Sequence, residues 1–258
     1  MDTTLRDPAW YPIGRAAAWI NAVCYFLGAS LYLLVDLEVT WSRADFGTDN
    51  SLLGRLSTFF ANEQDRWPQE LTYTLLFTVA FLSLIPIGLV LRDHLGRHLA
   101  TSQMVSASLL AAGVIGAVDQ LALIGGKDAI LEASRCNACQ VTPVLASLNS
   151  SLTTLEGITR WVSLGFFLLA GSGILFASWA AYDQPLFSRR WIQLGMVLGL
   201  VYLGGVVAVN LEMEPLFQIV VGIGAGILAP LWSAWLAIQL KKAGPLVPPD
   251  ADSVPAGV

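Results

Sequence analysis

LATSQMVSASLLAAGVIGAVDQLALIGG (residues 99–126), continuing as KDAILEASRCNACQ to residue 140, is the stretch that decides the fold. Roughly twenty apolar or small residues in a row match what a helix needs to cross a hydrocarbon layer of about 30 Å. The crossing, about 99–122, closes around an acid, Asp119, and opens into a long loop carrying the pair Cys136 and Cys139. A membrane crossing, a charge near its rim and a thiol pair beyond it set the themes of the whole chain.

Composition agrees with this reading. The 258 residues are 55% hydrophobic and only 13% charged, where an average soluble domain carries about 25% charge. A formal net charge of −5 argues against nucleic acid as a partner, since that function asks for basic stripes. Three cysteines are too few for a disulfide scaffold. The first apolar run lacks a small-residue cleavage pattern and is long enough to span, so it reads as a signal anchor.

Working outward, the hydropathy predicts an all-α bundle of six spans at about 16–35, 71–91, 99–122, 161–181, 191–209 and 216–240. Pro86 sits inside the second span and predicts a bend there. In SLLGRLSTFFANEQ (51–64), Leu52, Leu53, Leu56, Phe59 and Phe60 share one helical face, which predicts a short surface helix in the first long loop. A second surface helix is expected in the other long loop. The tail from residue 243, rich in proline and small residues, predicts disorder.

Six spans put both termini on one side. That side holds Arg6, Arg15, Arg92, Arg97, Arg189, Arg190, Lys241 and Lys242, while acids dominate the other. The positive-inside rule then predicts cytoplasmic termini and a multi-pass protein of the cytoplasmic (inner) membrane, with the lipid bilayer as its first partner. Trp19, Trp179, Trp191 and Trp235 fall near the inner interface, and Trp41, Trp67 and Trp161 near the outer one.

Two constellations could carry chemistry. In Arg135-Cys136-Asn137-Ala138-Cys139 the two thiols can close a small disulfide, and a neighbouring arginine lowers a thiol pKa. Outside the cytoplasm such a pair is expected to be oxidised. It reads either as a structural clip or as a thiol–disulfide oxidoreductase site; the clip is favoured because neither a thioredoxin-like fold nor a quinone site is visible.

The other constellation is a ring of polar residues at one level of the bundle. Asp36 and Glu38 end the first span, Glu70 and Tyr73 begin the second, and Asp119 and Gln120 end the third. Glu156 and Arg160 precede the fourth; Asn210, Glu212 and Glu214 join the fifth and sixth, with Gln218 one turn deeper. The ring reads as an acidic outer vestibule for a cation, a proton or an amine, or else as the ordinary decoration of helix ends. Asp119 is the member that further apolar sequence follows, and Arg160 is its expected ion partner.

Other features weigh against alternatives. His94 and His98 are four apart, a spacing that suits a metal, but their basic turn reads as a solvated, headgroup-facing pair. No metal or cofactor is expected: no span carries a lysine for a Schiff base, and no Walker, Rossmann or nucleophile-elbow pattern occurs. Asn21, Thr72, Thr74, Ser102, Ser106 and Ser108 read as helix–helix hydrogen-bonding groups. Gly195 and Gly199 form a GxxxG face, open to homodimerisation or to packing within one bundle, the latter being favoured.

GRAAAWINAVCYFLGASLYLL (14–34), LSLIPIGLVLRDHLGRHLA (82–100), SRRWIQLGMVLGLVYLGG (188–205) and WLAIQLKK (235–242) carry a resemblance. With these segments the chain resembles a large bacterial family of uncharacterised membrane proteins, known only as a domain of unknown function. The resemblance covers most of residues 14–242. It implies six helices in the cytoplasmic membrane and transfers no catalytic residue; the Cys-x-x-Cys loop departs from the family pattern. The leading expectation is a non-enzymatic protein binding or transporting a small ligand or lipid at its outer rim. The rivals are the oxidoreductase and a structural subunit of a membrane complex.

Overall fold

Backbone hydrogen bonding carries the helices well past the points where hydropathy ends. The computed structural model describes residues 10–37, 51–96, 99–136, 141–211 and 213–243, with backbone alone for Trp10, Glu214, Lys242 and Ala243. Helix α1 is Trp10–Asp36, α2 Leu52–Leu95, α3 Ala100–Ser134, α4 Thr142–Ala180 and α5 Arg189–Asn210. The last crossing is compound: α6 Glu214–Ile219, a π-helical segment Val220–Leu228, and α7 Ala229–Ala243. No strand occurs among the described residues, and six helices are long and apolar enough to cross a bilayer. The chain is a multi-pass membrane protein with an all-α bundle. The residues from 244 onward, expected to be disordered, lie outside the described residues, as do Glu38, Trp41, Arg97, His98, Cys139 and Glu212.

Local sequence explains the ends. Ser51 caps α2 by accepting from Gly54 N at 3.0 Å, which satisfies one of the orphan donors of the first turn. Pro143 lies in the first turn of α4 and Pro215 in that of α6, where a missing N–H costs nothing. Gly96 turns the chain from α2 into α3 at φ 101°, a region closed to most side chains. Ser188 caps α5 through Trp191 N at 3.3 Å and accepts from Gln239 Nε2 at 2.9 Å, tying α5 to α7.

Consecutive helices pack side by side from α1 to α5, and α6, the π segment and α7 close the ring between α5 and α1. The outward faces carry Ile20, Val23, Phe26, Val79, Val118, Leu200 and Ile227, all exposed. Such a surface suits lipid and not water. The inward faces form the main core, with Tyr25, Phe81, Leu109, Phe166, Ile174 and Tyr202 at its centre.

Three helices overrun the bilayer. At 44, 35 and 39 residues, α2, α3 and α4 are about 66, 52 and 58 Å long, against about 30 Å of hydrocarbon. Their overhangs form a three-helix cap at the end opposite the termini, with its own core of Phe60, Trp67, Leu131 and Leu145. The face of Leu52 to Phe60 is therefore not a separate surface helix. It is the first part of α2, and Leu56, Phe59 and Phe60 pack in the cap core. The second expected surface helix is likewise the overhang of α3 and α4.

Burial corrects other expectations. Trp191 is fully enclosed, stacked on Trp232 at 5.2 Å and donating from Nε1 to Trp232 O at 3.0 Å; Trp67 is buried in the cap. Neither belongs to an interfacial belt, whereas Trp19, Trp161 and Trp179 are exposed. His94 is buried against Tyr11 and Phe187, with Tyr11 Oη 3.1 Å from Nδ1, and so is not a headgroup-facing residue. Asn21 donates to Ala80 O and Ser83 Oγ at 2.7 and 2.9 Å and accepts from Ser233 Oγ at 2.6 Å, joining α1, α2 and α7. Thr72 and Thr74 bond back to their own helix at Pro68 O and Glu70 O, and Ser102 to Leu99 O and Gly96 O at the α3 turn.

Gly195 and Gly199 are buried inside the single bundle. A Cβ on Gly199 would sit 2.6 Å from Leu175 Cγ and 2.9 Å from Gly171 O, and one on Gly195 would meet Ser178 Oγ and Trp232 Nε1. Backbones in α4 and α5 approach this closely because neither carries a side chain there. This face is occupied within the chain.

Candidate central cavity and its carboxylate

The ring of six spans is not filled. A cavity of about 220 Å³ lies between them, and every span contributes to its wall. Half of the residues on the wall are aromatic. On α2, Tyr73, Phe77 and Phe81 follow one another at four-residue spacing, with Phe77 and Phe81 stacked at 6.0 Å. Phe81 reaches Phe166 of α4 at 4.3 Å, and Phe166 and Phe167 hold Tyr202 of α5 at 6.0 and 5.9 Å. Tyr25 and Tyr32 line the α1 side, each edge-on to an aromatic ring of α2.

The sixth span meets the cavity through Phe217, Val220, Val221 and Ala225, most of them in the π-helical segment. π-Helical turns are rare and cluster at functional sites. Here Ala229 N donates to Gly224 O, five residues back. Pro230 follows directly, and a proline ring crowds the carbonyl four residues before it, so the α-helical ladder is interrupted at this point in any case.

Among the described residues Asp119 is the one carboxylate on the cavity wall, and only 4% of the residue is exposed. Its Oδ2 accepts from Ser163 Oγ at 2.8 Å and, more weakly, from Gln120 Nε2 at 3.4 Å. Its Oδ1 is buried with no hydrogen-bond partner. One turn further along α4 from Ser163 come Phe166 and Phe167, and there the hydroxyls of Tyr25 and Tyr202 approach one another. Neither makes a hydrogen bond of standard geometry. Buried polar atoms are nearly always paired, so the bare Oδ1 of Asp119 needs an explanation.

A second pocket of about 470 Å³ adjoins the first, sharing Thr159, Ser163 and Phe217 and adding Glu156, Arg160 and Met213. The expected ion pair between Arg160 and Asp119 is not formed. Arg160 instead donates from Nε and Nη2 to Val209 O at 3.2 and 2.9 Å, closing the exposed carbonyl end of α5, as cations do at helix C-termini. The rest of the predicted ring divides. Gln218 Nε2 donates to Asp36 Oδ2 at 2.7 Å in a separate pair between α6 and α1, and Asn210 is exposed. Tyr73 joins the cavity, and the Glu214 side chain and Glu212 lie outside the described residues.

Glu70 turns away from the ring into the cap. There Lys127, 4% exposed, bonds Glu70 and reaches Glu63 Oε2 at 2.7 Å, and Arg66 pairs with both acids. Two cations face these two carboxylates, and Glu156 of α4 lies close enough to interact with all four. Trp67 donates to Asp128 Oδ1 at 3.1 Å, and its ring lies 5.7 Å from Lys127 Nζ. Sequence reasoning missed this cluster. The available signal was the 3-1-3 spacing of Glu63, Arg66, Trp67 and Glu70, which shares one helical face.

Cys136 is exposed just beyond α3, about 25 Å by helical rise from Asp119, and no disulfide occurs among the described residues. The thiol loop and the cavity are separate places. No group of three or more metal-ligating side chains occurs among the described residues. No family model, curated protein or solved structure matches this chain.

Proposed function

We propose that this chain is a multi-pass protein of the cytoplasmic membrane that binds a small ligand in its central cavity, reached from the side opposite the termini. The carrying observation is the aromatic cavity with a buried carboxylate oxygen that nothing satisfies. A pocket of this kind, mostly apolar with a few convergent polar groups, is the usual form of a small-molecule site. Intramembrane acids that face a cavity are functional by default. Arg15, Arg92, Arg189, Arg190 and Lys241 gather at the terminal end, which supports cytoplasmic termini. The resemblance to a bacterial membrane family supports the same location, and membership of that family is part of the proposal.

The test is solvent and reagent access to the cavity. On a background with Cys24, Cys136 and Cys139 replaced by serine, Ala225→Cys should react with methyl methanethiosulfonate in a lipid nanodisc. Thiolate, which requires water, is the reacting species, so Val118→Cys on the lipid face should stay inert. Equal inertness at the two positions would refute a water-connected binding cavity.

A further inference from the structure

The identity of the cavity's occupant can be narrowed from its chemistry. We infer that the cavity takes a small organic ammonium with an apolar, preferably planar body, its nitrogen against Asp119; this rests on the cavity's being a binding site. Among the described residues the wall offers one carboxylate, with a vacant lone-pair face, and the rings of Phe81 and Phe166 lie against Gly116, one turn before it on α3. A carboxylate beside aromatic rings is the combination that holds alkylammonium ions, since the ring quadrupoles add their attraction for a cation as water is removed.

Other ligand classes fit less well. An anion would face Asp119 at close range. An inorganic cation needs six or more oxygen ligands if it is calcium and an octahedral shell if it is magnesium, and the wall is mostly carbon. A sugar would leave most of its hydroxyls against rings. Nor do the described residues supply the missing charge. Lys127 is engaged by Glu63 and Glu70, and Arg160 by Val209 O. Size sets a further bound: 220 Å³ holds roughly seven waters at about 30 Å³ each, which is below the range of drug-sized pockets.

The experiment compares three probes of one shape and different charge: 2-phenylethylammonium, 2-phenylethanol and 3-phenylpropionate. Each is tested for protecting the thiol introduced by Ala225→Cys from methanethiosulfonate in nanodiscs. The expected result is half-protection by the ammonium at a concentration at least tenfold below that of the alcohol, with the carboxylate inert. Adding Asp119→Asn should remove the difference between ammonium and alcohol. Equal protection by ammonium and alcohol with Asp119 intact would overturn the ammonium inference and leave the cavity reading standing. A thiol at position 225 that never reacts overturns both. The comparison with Asp119 intact decides the matter even if Asp119→Asn does not fold.

Discussion

Replacing Lys127 by methionine keeps the length of the side chain but removes the charge that Glu63 and Glu70 share. Both carboxylates have side chains 7% exposed, and Lys127 itself 5%. Arg66 remains beside them at 3.0 Å from Glu63 Oε1, so the two carboxylates keep one of their two cations. Breaking a buried ion pair costs about 3–5 kcal/mol because the surviving charge is stranded. With Arg66 still present the lower figure applies, about 3 kcal/mol, or roughly a hundredfold in a local opening equilibrium. The cost falls on the cap, since all four residues lie in the overhangs of α2 and α3. Hydrogen exchange by mass spectrometry should therefore show faster exchange, by about two orders of magnitude, in peptides covering residues 56–67 and 124–131. Peptides from 77–90 in the bundle should hardly change. Adding Glu70→Gln should restore part of the protection, a coupling that a double-mutant cycle measures directly. Cap exchange unchanged to within threefold in Lys127→Met would refute the idea that this cluster holds the cap together.

Gly199→Leu should lower the thermal midpoint in detergent by an amount equivalent to at least about 1–3 kcal/mol, because overpacking there meets Gly171 O, a backbone atom that cannot rotate away. Gly157→Leu, with nothing within 4 Å of its would-be Cβ, should stay within about 0.5 kcal/mol of the parent; equal losses at the two sites would remove the close-packing argument. After reduction, an impermeant maleimide should label Cys136 in intact cells, as its exposed position at the end opposite the termini requires under the proposed orientation. Labelling confined to lysed cells would invert that orientation.

The six spans were legible because hydropathy records contact with lipid, and lipid contact is what places Ile20, Val118 or Ile227 on the outside. The helix ends were not, for the same reason. Hydropathy stops where hydrocarbon stops, while α2, α3 and α4 continue as long as their backbone bonds are made and another apolar face awaits them. Leu56 and Phe60 showed an amphipathic face, but a face does not say what covers it; the choice between membrane surface and Leu131 with Leu145 needs the third dimension. Asp119 could be singled out because LALIGG follows it and buries it. Its partner could not, since Ser163 is 44 positions away and an arginine three residues earlier looked the better match. The aromatic wall was visible in part, as Tyr73, Phe77 and Phe81 recur every four residues. That spacing alone does not separate a cavity wall from a packed core.

The two buried charge systems, set side by side, make the strongest case for a ligand. They lie on one helix, Asp119 and Lys127 being about 12 Å apart by rise along α3. Where charges are structural, this chain pairs them: Lys127 and Arg66 each meet Glu63 and Glu70 directly. Where Asp119 enters the bundle, the same chain supplies a hydroxyl and a weak amide contact and leaves one oxygen bare. Among the described residues the nearby cations, Lys127 and Arg160, are committed elsewhere, although a lysine in place of Thr159 or Leu123, both on the cavity wall, would put a counter-charge beside it. An acid serving only as packing would be costly in this position. Stability favours its replacement by an apolar residue, its pairing within the protein or its protonation, and among the described residues the first two are not found. A carboxylate retained under that cost, facing a cavity walled by aromatic rings, is accounted for if its counter-charge arrives with a ligand.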